Sequence, residues 1–263
     1  MTTRNVRRAI AVAEGERLWQ IYGFSSPEDL VLEDVAYARG VVVTDGRLDK
    51  MEARLIRKGT KGLIRVKTGL PEAGRRRFAI AHELGHWELH KNVSQLFACT
   101  SDDMVATYKV SQYEAEANYF ASALLMPDFL FRKAANSMKL SFASLSSLAT
   151  IFGTSLTATG IRYVETSDDY VAIVVSQDGR VRWWRGSDLF EEKFWIECRS
   201  RLSADTVASS IDSSSGTART PKSDIVDIDA WSDRGSGTEC RSFVEESAYM
   251  ASCGQVLTLL RLP

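Results

Sequence analysis

A chain of 263 residues with 33 basic and 34 acidic side chains carries a formal net charge of -1, so it offers no general attraction to nucleic acid or to an anionic membrane. Its length suffices for the core of one large domain or two modest ones. Cys99, Cys198, Cys240 and Cys253 are widely spaced, with no CxxC pair, and form no dense disulfide framework; they fit reduced thiols in a cytosolic protein.

At the N-terminus, the apolar run Ala9 to Ala13 stops at Glu14 and is too short for a signal peptide, so it reads as an amphipathic helix continuing toward Tyr22. Ser26 or Pro27 starts a second helix through Tyr37, and Gly40 leads into a strand at Val41 to Thr44. Met51 to Ile56 and Leu63 to Lys67, separated by the basic turn RKGTKG, read as a hairpin whose turn is a solvated tip. A sheet thus precedes the next element, and an exposed strand beside a cleft can bind a peptide by strand addition.

That next element, Glu72 to His90 with Pro71 at its start, is read as a helix burying Phe78, Ala81, Gly85 and Leu89 along one stripe. It carries His82-Glu83-Leu84-Gly85-His86. Residues four apart project from one helix face, so the imidazoles of His82 and His86 can share a metal ion at the edge of the stripe. Two neutral imidazoles with an adjacent carboxylate, Glu83, are what a hydrolytic zinc site requires. The chain has three histidines. The third, His90, lies one turn on and suits a role beside the ligands or in solvent.

Ser111 to Leu125 reads as the following helix, with Tyr113, Ala117, Phe120 and Leu124 buried and Pro127 closing it. Glu114 and Asn118 share the edge of that stripe. Glu114 can approach the ion while Asn118 hydrogen-bonds a ligating histidine. Ser111 with Glu114 is also an S-x-x-E capping box, and Glu116, Asp102 and Asp103 compete as ligands on spacing alone. Glu116 is assigned to the far side of the helix, away from the ion. Cys99, in the connection between the two helices, is read as an inert thiol.

Here the sequence resembles the ImmA/IrrE family. RRRFAIAHELGHWELH and EAEANYFASALLMP match its pattern of HExxH followed by E-x-E/Q-A-N-x-F-A-x-x-L-L-x-P, and the likeness runs from about Asp45 to Glu165. The resemblance implies Zn2+, or Mn2+ in vitro, held by His82, His86 and Glu114, with Glu83 as the catalytic carboxylate. It implies cleavage of a helix-turn-helix transcriptional repressor, relieving repression under stress or during mobile-element induction. The oxyanion would also need a donor such as Tyr108, an arginine, His90 or backbone. The alternatives are a regulatory protein that docks a repressor or antitoxin-like partner without cutting it, and hydrolysis of a small amide.

Leu140 to Ile161 is uncharged and long enough for a membrane span, but it is rich in Ser, Thr and Gly. A soluble helix pair, Ser141 to Phe152 and Ser155 to Glu165 about Gly153, has the form of a helix-turn-helix. Its second helix offers only Arg162 to DNA, so direct DNA binding is not expected and a packing or docking role is. Beyond it, Tyr170 to Ser176 and Val181 to Arg185 flank the turn Gln177-Asp178-Gly179. Leu189 to Leu202 reads as helical, Ser203 to Ser223 as a mobile loop, and Ile225 to Ile228, Ser242 to Met250 and Val256 to Leu262 as strands. Trp183 and Trp184 are read as sheet packing. In the family the C-terminal domain is GAF-like and thought to sense a signal. The fold expected is therefore α+β: a zincin-like metallopeptidase domain over 1–135, a helix-turn-helix-like segment over 136–166 and a sensor-like α+β module over 167–263.

Overall fold

The protein was analysed as a computed structural model that describes residues 3–49, 51–70, 72–91, 98–99, 112–136, 138–211, 220–232 and 241–263. It is mixed α and β, and it divides into two compact units: Met1–Ala134 with Ala149–Ser155, and Ala135–Leu148 with Leu156–Pro263. The segment read as a helix-turn-helix is therefore shared between the two units. No described helix is long and apolar enough to cross a membrane.

In the first unit, helix α1 (Thr3–Tyr22) leads to a 3-10 turn at Pro27–Asp29 and helix α2 (Leu32–Ala38). The continuous helix expected from Ser26 to Tyr37 is thus broken at Leu30 and Val31. Asp29 accepts hydrogen bonds from the backbone N–H groups of Ser25 and Ser26, and the Leu30 N–H closes onto the Pro27 carbonyl, which ends the turn. The break lets both Leu30 and Leu32 enter the core.

Strands β1 (Val41–Gly46), β2 (Ala53–Lys58), β3 (Lys61–Lys67) and β4 (Ala98–Cys99) form a sheet in the order β1-β3-β2-β4. β1 runs parallel to β3, whereas β2 is antiparallel to both its neighbours. The hairpin is tighter than RKGTKG suggested: pairing continues to Lys58 opposite Lys61, and only Gly59 and Thr60 turn, Gly59 at φ 59°. Val41, Ala53, Leu55, Ile64 and Val66 bury one face.

Helix α3 (Ala73–Leu89) packs between β2 and β3 on one side and helix α4 (Gln112–Leu125) on the other. Every residue from Ala79 to Glu88 is consequently buried. The stripe expected of this helix is both too narrow and too long: residues 79–88 are covered on every side, whereas Phe78 and Leu89 at the ends of the stripe are only half-buried. Its last turn is tied to the rest of the unit. Arg39 grips Glu88 through two bonds of 2.8 and 2.7 Å, Trp87 Nε1 donates to the Arg39 carbonyl, and the Arg57 guanidinium lies 3.8 Å from the centre of the Trp87 ring while bonding the Trp87 carbonyl. α1 covers α4 from the other side, with Trp19 Nε1 donating to the Leu124 carbonyl at 2.7 Å. Helix α5 (Asp128–Ala135) follows Pro127.

Helices α6 (Phe142–Phe152) and α7 (Leu156–Thr166) are separated at Gly153, whose φ is 60°. Arg162, the basic residue of α7, is only 5% exposed, so its guanidinium is not a surface contact for DNA.

In the second unit, β5 (Val171–Gln177), β6 (Arg180–Gly186), β7 (Lys222–Asp227), β8 (Ser242–Met250) and β9 (Gln255–Arg261) form an antiparallel sheet ordered β6-β5-β9-β8-β7. Asp178 and Gly179, at φ 53° and 68°, make the two-residue turn that matches the twist of β5 and β6. Helix α8 is shorter than the helix read over Leu189 to Leu202 and spans only Asp188–Lys193. The reason is local: Phe194 and Ile196 are buried while Trp195 between them is 38% exposed, an alternation of extended chain rather than helix.

The stretch read as a loop from Ser203 is docked as far as residue 211. Glu245 on β8, fully buried, accepts hydrogen bonds from the backbone N–H groups of Val207 and Ala208, from Trp231 Nε1 and from the Ser247 hydroxyl, at 2.7 to 3.0 Å. Residues 212–219 lie outside the described residues. Trp184 belongs to the core of this unit, packed on Phe190 and Trp195, and Trp183 is half-buried. Cys198 is partly buried, and the exposed Cys253 directs its thiol to the Met250 carbonyl.

Candidate metal centre

Two helices supply the site, and a glycine sets their separation. A Cβ on Gly85 would lie 3.0 Å from Ala117 Cα and 3.1 Å from the Ala117 carbonyl oxygen, so the backbones of α3 and α4 meet closely there. On α3, His82 and His86 flank this contact within a turn; on α4, Glu114 and Asn118 do the same.

His82 Nε2 stands 3.1 Å from His86 Nε2 and 3.1 Å from Glu114 Oε2, and His86 Nε2 is 3.4 Å from the same carboxylate. Both imidazoles have no exposed surface, and Glu114 is partly covered. Histidines placed at the edge of a stripe by sequence are therefore wholly inside, because α4 closes over the face that an isolated α3 would leave open. His82 Nδ1 donates to Asn118 Oδ1 at 2.8 Å. Glu83 is fully buried next to His82. Tyr108, Asp102, Asp103, Ser111 and the side chain of Cys99 lie outside the described residues.

The electrostatics follow from these contacts. Burial opposes the charge on His82, but the hydrogen bond to Glu114 and the charges of Glu83 and Glu114 outweigh it and lift the imidazole above its ordinary value. Burial dominates at His86 and draws it down to about 4. Glu114, although burial works against its charge, is held well below the usual carboxylate range by its bonds to His82 and His86.

The donor set fits a small divalent ion. Ligands bound tetrahedrally at about 2.0–2.1 Å stand about 3.3 Å apart, which is the separation found between the two imidazole nitrogens and the carboxylate. Among the described residues these three form a group of metal-ligand type, with one donor atom each and all within 4.8 Å of one another. Each Nδ1 is engaged elsewhere, which leaves both Nε2 atoms aimed at the shared point.

Sequence reasoning missed one connection. His86 Nδ1 is 2.9 Å from His90 Nδ1, and His90 Nε2 is 3.0 Å from Glu116 Oε2. Glu116, assigned by spacing to the far side of α4, therefore reaches the site's surroundings. The spacing rule assumes helices at ordinary separation; the close approach at Gly85 and Ala117 brings both flanks of α4 within reach of α3. His90, with both ring nitrogens so bonded, has no N–H to offer an oxyanion.

The comparisons with known proteins agree with this architecture. No curated protein sequence matches the chain significantly. Among solved structures, a Mycobacterium tuberculosis transcriptional regulator superimposes with a TM-score of 0.62 at 16% identity, over 96% of this chain and 76% of that one, a likeness of fold. Residues 36–163 match the family model of the IrrE N-terminal-like domain, Peptidase_M78, and this stretch, which carries His82, Glu83, His86 and Glu114, is a domain of the ImmA/IrrE family.

Proposed function

We propose that the chain is a zinc-dependent endopeptidase of the cytoplasm, with a zincin-like catalytic domain, whose substrate is a helix-turn-helix transcriptional repressor. The observation that carries the reading is the convergence of His82 Nε2, His86 Nε2 and the Glu114 carboxylate within 4.8 Å, beside a buried Glu83. Zinc, when bound there, would polarise the scissile carbonyl and acidify the attacking water. Glu83 takes the proton of that water and delivers it to the leaving amine nitrogen, so that the chain separates as acid and amine. Asn118 fixes the His82 ring through its Nδ1–H. Support for a protein substrate comes from the family and from the burial of Arg162, which removes the basic contact that α7 could have given DNA. The solved neighbour's description as a transcriptional regulator fits the same setting.

The test is incubation of the zinc-loaded protein with candidate repressors, compared with Glu83→Gln, and read on a gel beside a repressor pull-down. Wild type is expected to cut, and Glu83→Gln to bind metal and repressor while cutting at least about 100-fold more slowly. Equal relief of repression by both proteins, with the repressor intact, would replace the peptidase reading with one of docking.

A further inference from the structure

We propose that His90 and Glu116 are positioning residues that hold the His86 imidazole with Nε2 aimed at the metal. The inference rests on the reading of His86 as a metal ligand. A nitrogen that holds a metal carries no proton, so the remaining proton of a neutral His86 belongs on Nδ1. That N–H points at His90 Nδ1, 2.9 Å away, which must then accept; His90 in turn carries its proton on Nε2 and donates it to Glu116 Oε2 at 3.0 Å. One assignment of protons satisfies every member.

The surroundings favour a fixed arrangement. His86 has no exposed surface, His90 is 3% exposed, and the Tyr113 ring stands edge-on to His90 with centroids 4.9 Å apart. The carboxylate end is anchored as well: Glu116 Oε1 accepts from Gln112 Nε2 at 2.9 Å and from Arg7 at 3.1 Å. The two ligands of α3 are thereby oriented by different chemistry, His82 by an amide and His86 by a second imidazole backed by a carboxylate. A carboxylate behind an imidazole raises the basicity of the far nitrogen and fixes its tautomer.

The experiment pairs zinc affinity, measured by competition with a chromophoric chelator, with nitrogen-15 NMR of the histidine rings in the metal-free and zinc-loaded full chain. Wild type is expected to show His86 as the Nδ1–H tautomer when zinc is bound and His90 as Nε2–H. Glu116→Ala should weaken zinc binding about 10- to 100-fold and mix the His90 tautomers, with the His82 signals unmoved. Glu116→Gln, which keeps an acceptor oxygen, should recover part of the affinity and the His90 tautomer, and it serves if the alanine variant does not fold. Arg7→Ala, removing only the outer partner of Glu116, should bind zinc like wild type. If Glu116→Ala and Glu116→Gln bind zinc as tightly as wild type with unchanged ring signals, the pair does not position His86, while the metal reading stands. If wild type takes up no zinc, the metal reading itself fails and this inference falls with it.

Discussion

Replacing Gly85 by alanine adds one methyl group at the point where the two helices that carry the candidate ligands touch. The new Cβ would stand 3.0 Å from Ala117 Cα, 3.1 Å from the Ala117 oxygen and 3.2 Å from Phe120 Cδ1. Carbon atoms in good contact are 3.5–4.0 Å apart, so relief requires a shift of about 0.5 Å. Two of the three neighbours are backbone atoms, which cannot rotate aside, so α3 and α4 must part. Overpacking of this kind costs about 1–3 kcal/mol, offset by about 1 kcal/mol because alanine favours a helix over glycine. Stability should therefore fall by no more than about 2 kcal/mol, while the ligands on the two helices separate by more than the ~0.2 Å that a metal site tolerates. Thermal unfolding in excess chelator should show the small loss, and chelator competition a zinc affinity lowered at least about 10-fold. Wild-type affinity in a stably folded Gly85→Ala protein would refute the claim that this contact sets the ligand geometry.

Glu114→Ala should abolish stoichiometric zinc uptake in elemental analysis and leave the circular dichroism of the fold in place; full zinc occupancy would remove Glu114 from the ligand set. Acidification should release the metal, because the imidazoles bind it only when neutral: against the opposition of burial, the bond to Glu114 and the charges of Glu83 and Glu114 lift His82 above its ordinary value of 6.5 in the metal-free protein, whereas burial draws His86 down to about 4. Affinity, followed by chelator competition across a pH series, should fall as pH drops below neutrality; an affinity unchanged from neutral to acid pH would remove the imidazoles from the ligand set. In the second unit, Glu245→Ala strands buried donors, each worth about 1–3 kcal/mol, and should lower urea stability by at least about 3 kcal/mol by tryptophan fluorescence. A loss below about 1 kcal/mol would show that Glu245 is not the anchor of residues 203–211.

The local features were legible where the chain specifies them locally. The spacing of His82 and His86 follows from helix periodicity, Asp178-Gly179 announces its turn through left-handed backbone, and Asn118 falls one turn beyond Glu114 on the same helix face. What sequence could not supply was the separation between elements. Nothing in the spacing of α4 says that its backbone approaches α3 closely enough for Glu116 to reach His90, and the complete burial of the histidines depends on the same approach. The stretch after Ser203 reads as a loop because its residues are polar and small, yet a carboxylate 37 and 38 residues beyond the two N–H groups it binds fastens it from β8. The break at Leu30 shows a different limit: a helical pattern from Ser26 was overridden by a capping arrangement that buries Leu30 and Leu32 together.

The three donors are divided between helices, with 32 residues separating His82 from Glu114. A nascent or unfolded chain can bring two imidazoles together through a single turn of helix, but it acquires the third donor only when α4 docks. The site therefore matures late on the folding route, after non-local contacts have formed. Under the proposed metal reading, capture of an ion would mark completed folding rather than help to begin it, and a chain stalled before docking would compete poorly for the ion.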